Sequence, residues 1–154
     1  MTLNKDVELL RNIPLFCKVE PSQLKLLAFT SEHLTFAPGQ ELFHQGDIGD
    51  SAYIIVDGEA DVLVDSPNGP IKVATMRKNA FVGEIAILCD VPRTATVTAT
   101  TKLATIRISK DLFFQLVCQF PQMSVEIMRE LARRLEHTTR ELRQARTALE
   151  GMSA

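Results

Sequence analysis

Cysteine is scarce in this sequence, and the three residues present offer each other no local partner. Cys17, Cys89 and Cys118 are an odd number at wide spacing with no CxxC pair, which argues against a disulfide framework and a cysteine-bound zinc. Cys118 lies in an apolar run and is expected to be a buried thiol in a reducing compartment. No stretch approaches the ~20 apolar residues needed to span a bilayer. Met1 to Leu10 carries Lys5, Asp6 and Glu8, with no apolar signal-peptide core after it. A cytoplasmic protein without membrane contact is expected. An excess of either charge is missing too. Seventeen basic residues face nineteen acidic ones for a net charge of −2, so nothing global attracts nucleic acid or anionic lipid. Histidine is equally thin: His33, His44 and His137 share no ligand spacing with carboxylates. Hydrolytic chemistry at phosphorus generally needs metal ions or a positioned base. No catalytic residue, metal or cofactor is therefore assigned, and His44, in an apolar strand, is expected to be packed.

What is present suits one domain spanning residues 1–154. Apolar residues make up 45% and charged residues 23%, an ordinary composition for a chain with a single core. Residues 1–32 read as helical. Val7, Leu9 and Leu10 precede a break at Pro14, and a second helix starts near Pro21-Ser22, with Leu24, Leu27 and Ala28 at helical spacing. From about His33 to residue 110 short apolar runs alternate with turn residues: Pro38-Gly39, Gly46-Asp47, Asp57-Gly58 and Pro67-Asn68-Gly69-Pro70. That spacing marks a compact antiparallel β structure. The strands are expected at 53–56, 61–64, 71–76, 95–100 and 103–108, with a weaker one at 41–44. Asp57-Gly58 suggests a hairpin, since a type I′ turn wants positive φ at both central residues. The fold expected is mainly β, an antiparallel β-roll or jelly roll, flanked by helices.

Helical period returns over residues 111–150. Leu112–Gln119 forms a short helix that stops before Pro121, and the segment from Gln122 to Glu150 holds neither Gly nor Pro. Along it Met128, Leu131, Leu135, Thr138, Leu142, Ala145 and Leu149 alternate at spacings of three and four, a heptad-like seam. This long helix either packs back on its own barrel, pairs with a second copy or an effector through its distal half, or does both. Six arginines make it locally basic, but Glu130–Arg134 and Glu136–Arg140 stand in the favourable i,i+4 order of a solvated, ion-paired face.

The chemistry concentrates in residues 81–97, FVGEIAILCDVPRTATV. Here a short helix opened by Gly83 interrupts the strands and closes before Pro92-Arg93. Glycine lets a ligand approach the backbone, and the first amides of the helix have no partner within it. Arg93 follows at the edge of the next strand with a planar fork that can take two phosphate oxygens. Glu84 can accept hydrogen bonds from a sugar hydroxyl. Together they suit a small, singly charged sugar phosphate. Taken singly, each residue has a plainer reading: Arg93 as a surface arginine, Glu84 as an answer to the helix dipole.

These residues carry a resemblance. Val82-Gly83-Glu84-Ile85-Ala86-Ile87 followed by Pro92-Arg93-Thr94-Ala95-Thr96-Val97 resembles the phosphate-binding cassette of the cyclic-nucleotide-binding domain family, found in cAMP receptor proteins, cyclic-nucleotide-dependent kinases and gated channels. Residues 41–47 and 52–59 are similar to its early strands and turns, so the likeness covers about residues 10 to 140. The resemblance implies that Arg93 binds the phosphate oxygens, with amides around Ile85 and Ala86 and the Thr94 hydroxyl. Glu84 would bind the ribose 2′-hydroxyl, and Gly83 would open the helix. It implies a sensor of cAMP or cGMP, and Thr94 is compatible with both. Arg134 is either a lid over the base or simply Glu130's ion-pair partner. Asn79 and Val82 depart from the family, which often has glycine and an aromatic there, so altered loop geometry is expected. The alternative is a degenerate module of this fold used for protein–protein contact or for another small ligand. A DNA-reading segment after the long helix is not expected in a chain ending at Ala154.

Overall fold

One strand explains the architecture. In the computed structural model, which describes residues 7–8, 10–13, 16 and 19–153, strand β3 (Ser51–Asp57) is buried along its first five residues. Successive side chains of a strand point to opposite faces, so a strand apolar on both faces must be covered on both. Ala52 and Ile54 join a cluster with Leu10, Leu24, Ile87, Phe113 and Met123, which is the helical side. Tyr53 and Ile55 point the other way, into a cluster with Leu42, Val82, Val97 and Leu103. Two cores result, one between the sheets and one beneath the helices.

The sheets are four-stranded and antiparallel. The first has the order β1-β8-β3-β6 and the second β2-β7-β4-β5, with β1 Glu32–Phe36, β2 Glu41–Phe43, β4 Ala60–Val64, β5 Ile71–Met76, β6 Phe81–Val82, β7 Thr96–Ala99 and β8 Leu103–Ser109. This is the β-roll expected. Strands β1 and β6 escaped sequence reading, the first because only Leu34 and Phe36 carry its alternation and neither is fully buried, and the second because it is two residues long.

The hairpin expected at Asp57-Gly58 does not form. Gly58 does take positive φ, but β3 pairs with β6 and β8 whereas β4 pairs with β5 and β7. The turn carries the chain from one sheet to the other. Turn chemistry specifies a reversal, while the burial of both faces of β3 decides which strands it pairs with. A second crossing, between β7 and β8, packs against the first: Thr100 N–H donates to Glu59 O at 3.0 Å, and the Thr101 hydroxyl accepts from Glu59 N–H at 3.0 Å. A Cβ on Gly58 would lie 2.3 Å from Lys102 O, so the close approach also demands glycine.

Helix α1 (Pro21–Thr30) starts on proline and buries Leu24, Leu27 and Ala28, as its spacing predicts. Ahead of it Val7 and Leu10 are buried; Leu9, Pro14 and Cys17 lie outside the described residues. Helix α2 is Glu84–Cys89. Helix α3 (Lys110–Gln119) is capped by the Ser109 hydroxyl, which accepts from Leu112 N–H. Helix α4 runs from Pro121 to Ser153. Its early residues Met123 and Ile127 are buried in the helical core. Among the described residues none beyond Arg134 is buried, and Leu135 and Leu142 are 69% and 58% exposed. No helix among the described residues is long and apolar enough to cross a membrane.

Two smaller expectations fail. Cys118 is exposed, because α3 turns Phe113 and Leu116 inward and leaves position 118 on its outer side. His44 is also exposed. β2 ends at Phe43, and the imidazole reaches back to Glu41 at 3.0 Å, a hydrogen bond that raises its pKa.

Candidate functional site

Gly83 has φ 86 and ψ 6 at the N-cap of α2, a left-handed conformation that a β-carbon disfavours. It turns the chain from β6 into a helix of six residues. That helix buries Glu84, Ala86 and Ile87 and leaves Ile85 and Leu88 outward. Asp90, also left-handed, ends it by donating its N–H to Ala86 O. The opening and closing of this helix are where the sequence pattern put them. Asn79, just before β6, has φ 73. Asparagine tolerates this region better than other non-glycine residues, which explains how it stands in for the glycine common in the resembling family. Val82 is buried between the sheets, and no contact depends on an aromatic ring there.

Arg93 is not on the strand edge; it lies three residues before β7, in an irregular segment held by its backbone. Its N–H donates to Asp47 O at 2.8 Å, and its carbonyl accepts from Gly46 N–H at 2.9 Å. The side chain is 5% exposed. Nη1 donates to Gly83 O at 2.9 Å and Nη2 to Ser51 O at 2.7 Å, and Cζ lies 4.0 Å from the centroid of Phe43. Nε has no hydrogen-bond partner among the described residues. Burial lowers the guanidinium's pKa, yet arginine's high intrinsic value keeps it a cation. Among the described residues, then, this buried cation donates only to neutral carbonyls, with donor capacity unused.

Nine residues earlier in the chain, Glu84 is 2% exposed. Its carboxylate is bonded by Arg134 Nη1, while Arg134 Nη2 bonds to Phe81 O. Arg134 Nε also approaches Glu130 at 3.5 Å. Arg134 thus pairs with Glu130, as the i,i+4 spacing suggests, and its guanidinium also reaches Glu84 and Phe81 of the cassette. Burial pushes the Glu84 carboxyl above the usual carboxylate range; the charge of Arg134 and a backbone hydrogen bond of Glu84 itself pull against that.

One open cavity brings the sequence-derived residues together. Gly83, Glu84, Ile85, Ala86, Arg93, Thr94 and Arg134 all line it. Its remaining wall is Phe43, Val62, Met76, Val82, Ala95 and Val97, mostly apolar and suited to a flat heterocycle. Among the described residues, no group of three or more His, Cys, Asp and Glu is arranged to hold a metal ion.

Sequence reading missed three positions. Ser51 acts through its backbone carbonyl, so no side-chain signal exists. Gly49 lies in a run of turn residues, but its role is spatial: a Cβ there would fall 2.6 Å from Arg93 Nε and 2.8 Å from Ala86 Cβ. Phe43, half-buried beside Leu42 on β2, would read from sequence as core.

A family model described as the cyclic nucleotide-binding domain matches residues 33–119. The CRP-like cAMP-activated global transcriptional regulator of Mycobacterium tuberculosis is 30% identical over 136 residues, which cover 88% of this chain and 61% of that protein. The cAMP-dependent protein kinase regulatory subunit of Eremothecium gossypii is 37% identical over 110 residues, or 71% of this chain and 23% of that one. This chain thus spans about three fifths or less of the length of these relatives. The sensor domain of the transcriptional regulator DNR from Pseudomonas aeruginosa shares the fold, with a TM-score of 0.77 at 20% identity over 88% of this chain and 92% of that chain. The chain belongs to the cyclic nucleotide-binding domain family.

Proposed function

We propose that the chain is a reversible sensor of a cyclic nucleotide, cAMP or cGMP, with no reaction of its own. One observation carries this reading: Arg93, a buried cation with no carboxylate partner among the described residues, lines the cavity. Burying a charge without a counter-charge is costly, and an exchangeable anion would offset that cost when bound. In this arrangement the phosphate meets Arg93, the Thr94 hydroxyl and the free amides around Ile85 and Ala86. Glu84 accepts from the ribose 2′-hydroxyl, and the base lies along Val62 and Met76.

Ligand and helix α4 are linked through Glu84. The carboxylate that would hold the ribose is the one Arg134 holds, so ribose binding changes what Arg134 gains from its position. A ligand shifts a conformational equilibrium only through such a difference in interaction. The whole chain, 1–154, acts as one unit in this scheme.

The partner we propose for distal α4 is a second copy of this chain. With Leu135 and Leu142 at the same heptad position, Glu141 and Arg146 fall on opposite flanks of the seam. In a parallel, in-register pair they stand across from each other twice, an attraction of the kind that sets coiled-coil orientation.

The test is calorimetric titration of denatured and refolded protein, freed of retained nucleotide, with cAMP and then cGMP. Arg93→Ala is expected to weaken binding by about 1.5–3 kcal/mol, since it removes a charge-assisted bond to a buried anion. Unchanged affinity would remove Arg93 from the site. No heat with either nucleotide, from folded protein, would overturn the function.

A further inference from the structure

Arg93 is held by three things, and two of them are backbone carbonyls that any sequence would supply. The third is the face of Phe43. The guanidinium carbon lies 4.0 Å from the ring centroid, well inside the range in which a cation is attracted to an aromatic quadrupole. The ring is itself fixed: its centroid is 6.0 Å from that of buried Tyr53, which meets Phe36 edge-on at 6.2 Å. Phe43 sits opposite Val97 in the β2–β7 register, so sheet pairing places the ring beside the loop that carries Arg93. Glycines clear the space. A Cβ on Gly83 would come within 2.7 Å of Arg93 Nη1 and 3.2 Å of Phe43 Cε2.

We propose that Phe43 is the positioning residue for Arg93, its ring face holding the guanidinium inward at the cavity wall. The proposal rests on the reading of this cavity as a phosphate-binding site. An aliphatic side chain at 43 would fill similar space, but it cannot offset the lost hydration of a cation whose Nε–H bonds to nothing. Without the quadrupole the long, flexible arginine gains by turning out to water. Binding would then have to draw it back and re-order it. Phe43 lines the cavity as well, but its main effect is on affinity for the charged part of the ligand, through Arg93.

The experiment compares phenylalanine at 43 with its mono-, di- and trifluorinated forms and with Phe43→Leu, titrating cAMP and, separately, uncharged adenosine. Fluorination drains the ring quadrupole at nearly constant shape, so every variant in the series folds alike. Affinity for cAMP is expected to fall stepwise with fluorine number and by about five- to thirty-fold in Phe43→Leu, with a clearly smaller loss for adenosine, which brings no charge to Arg93. Wild-type affinity in Phe43→Leu, or equal losses for cAMP and adenosine, would overturn the proposal. A second reading needs no ligand. In the nucleotide-free protein the Arg93 Nε–H proton resonance is expected upfield-shifted by the ring and slow to exchange, with both properties lost in Phe43→Leu. A resonance unchanged in that variant would equally overturn it. If wild-type protein binds neither nucleotide, the function proposed above fails, and this spectrum still decides whether Phe43 holds Arg93.

Discussion

Arg134, on the long C-terminal helix, bonds the carboxylate of Glu84, fifty residues earlier in the chain and 2% exposed. Removing the arginine would leave a buried carboxylate with little compensation, which is far costlier than never having the pair. Arg134→Leu is expected to destabilise the fold by about 1–3 kcal/mol at neutral pH, the lower part of the buried-pair range because Arg134 is itself 26% exposed. It should also raise the Glu84 pKa further, since Arg134 is the strongest influence lowering it. Denaturant unfolding and carboxyl-carbon NMR titration check the two halves.

The same carboxylate predicts a pH dependence of stability. Burial raises the folded-state pKa of Glu84 above its unfolded value. Between those values the folded protein holds a proton that the unfolded chain has released. Stability contributed by the protonated group is complete below the unfolded pKa and is lost as pH rises through the folded one. Unfolding free energy measured from about pH 4 to 7 should therefore contain a downward component that Glu84→Gln removes. Equal slopes in the two proteins would show that Glu84 does not contribute it.

Two glycines separate crowding from backbone strain. Gly49 lacks positive φ, but an added Cβ would overlap Arg93 Nε and Cζ. Gly39 has φ +91 and nothing within 4 Å of an added Cβ. Gly49→Ala should reduce cyclic-nucleotide affinity at least tenfold, about 1.4 kcal/mol, by displacing the guanidinium. Gly39→Ala should cost about 1 kcal/mol of stability with affinity unchanged. Calorimetry and thermal unfolding on both variants give the comparison.

The exposed seam of α4 predicts self-association. If a second copy covers it, sedimentation equilibrium should show a dimer, and the melting temperature should rise with protein concentration. Leu142→Asp puts a charge at a seam position and should give a monomer whose domain still binds nucleotide. A wild-type monomer at all concentrations would leave the seam to another partner.

Much of this protein was legible in its residues, for local reasons. Pro21 opens a helix because its fixed φ suits the first turn. The glycine at 83 starts α2 because the chain must turn left-handed there. Gln122 to Glu150 is helical because neither glycine nor proline breaks its period. The cassette could be read because its residues are contiguous and their spacing is set by one strand, one short helix and one loop. Decisions about partners were not local. Asp57-Gly58 looked like a hairpin, and only the burial of both faces of β3 sends the chain across to the other sheet. Cys118 and His44 looked buried because their neighbours are apolar, and helix rotation and strand length put them outside. Phe43 beneath Arg93, Gly49 beside it and Arg134 across Glu84 come from segments far apart in the chain. Their meeting depends on sheet register and on where α4 crosses the cassette, and tertiary packing alone decided both.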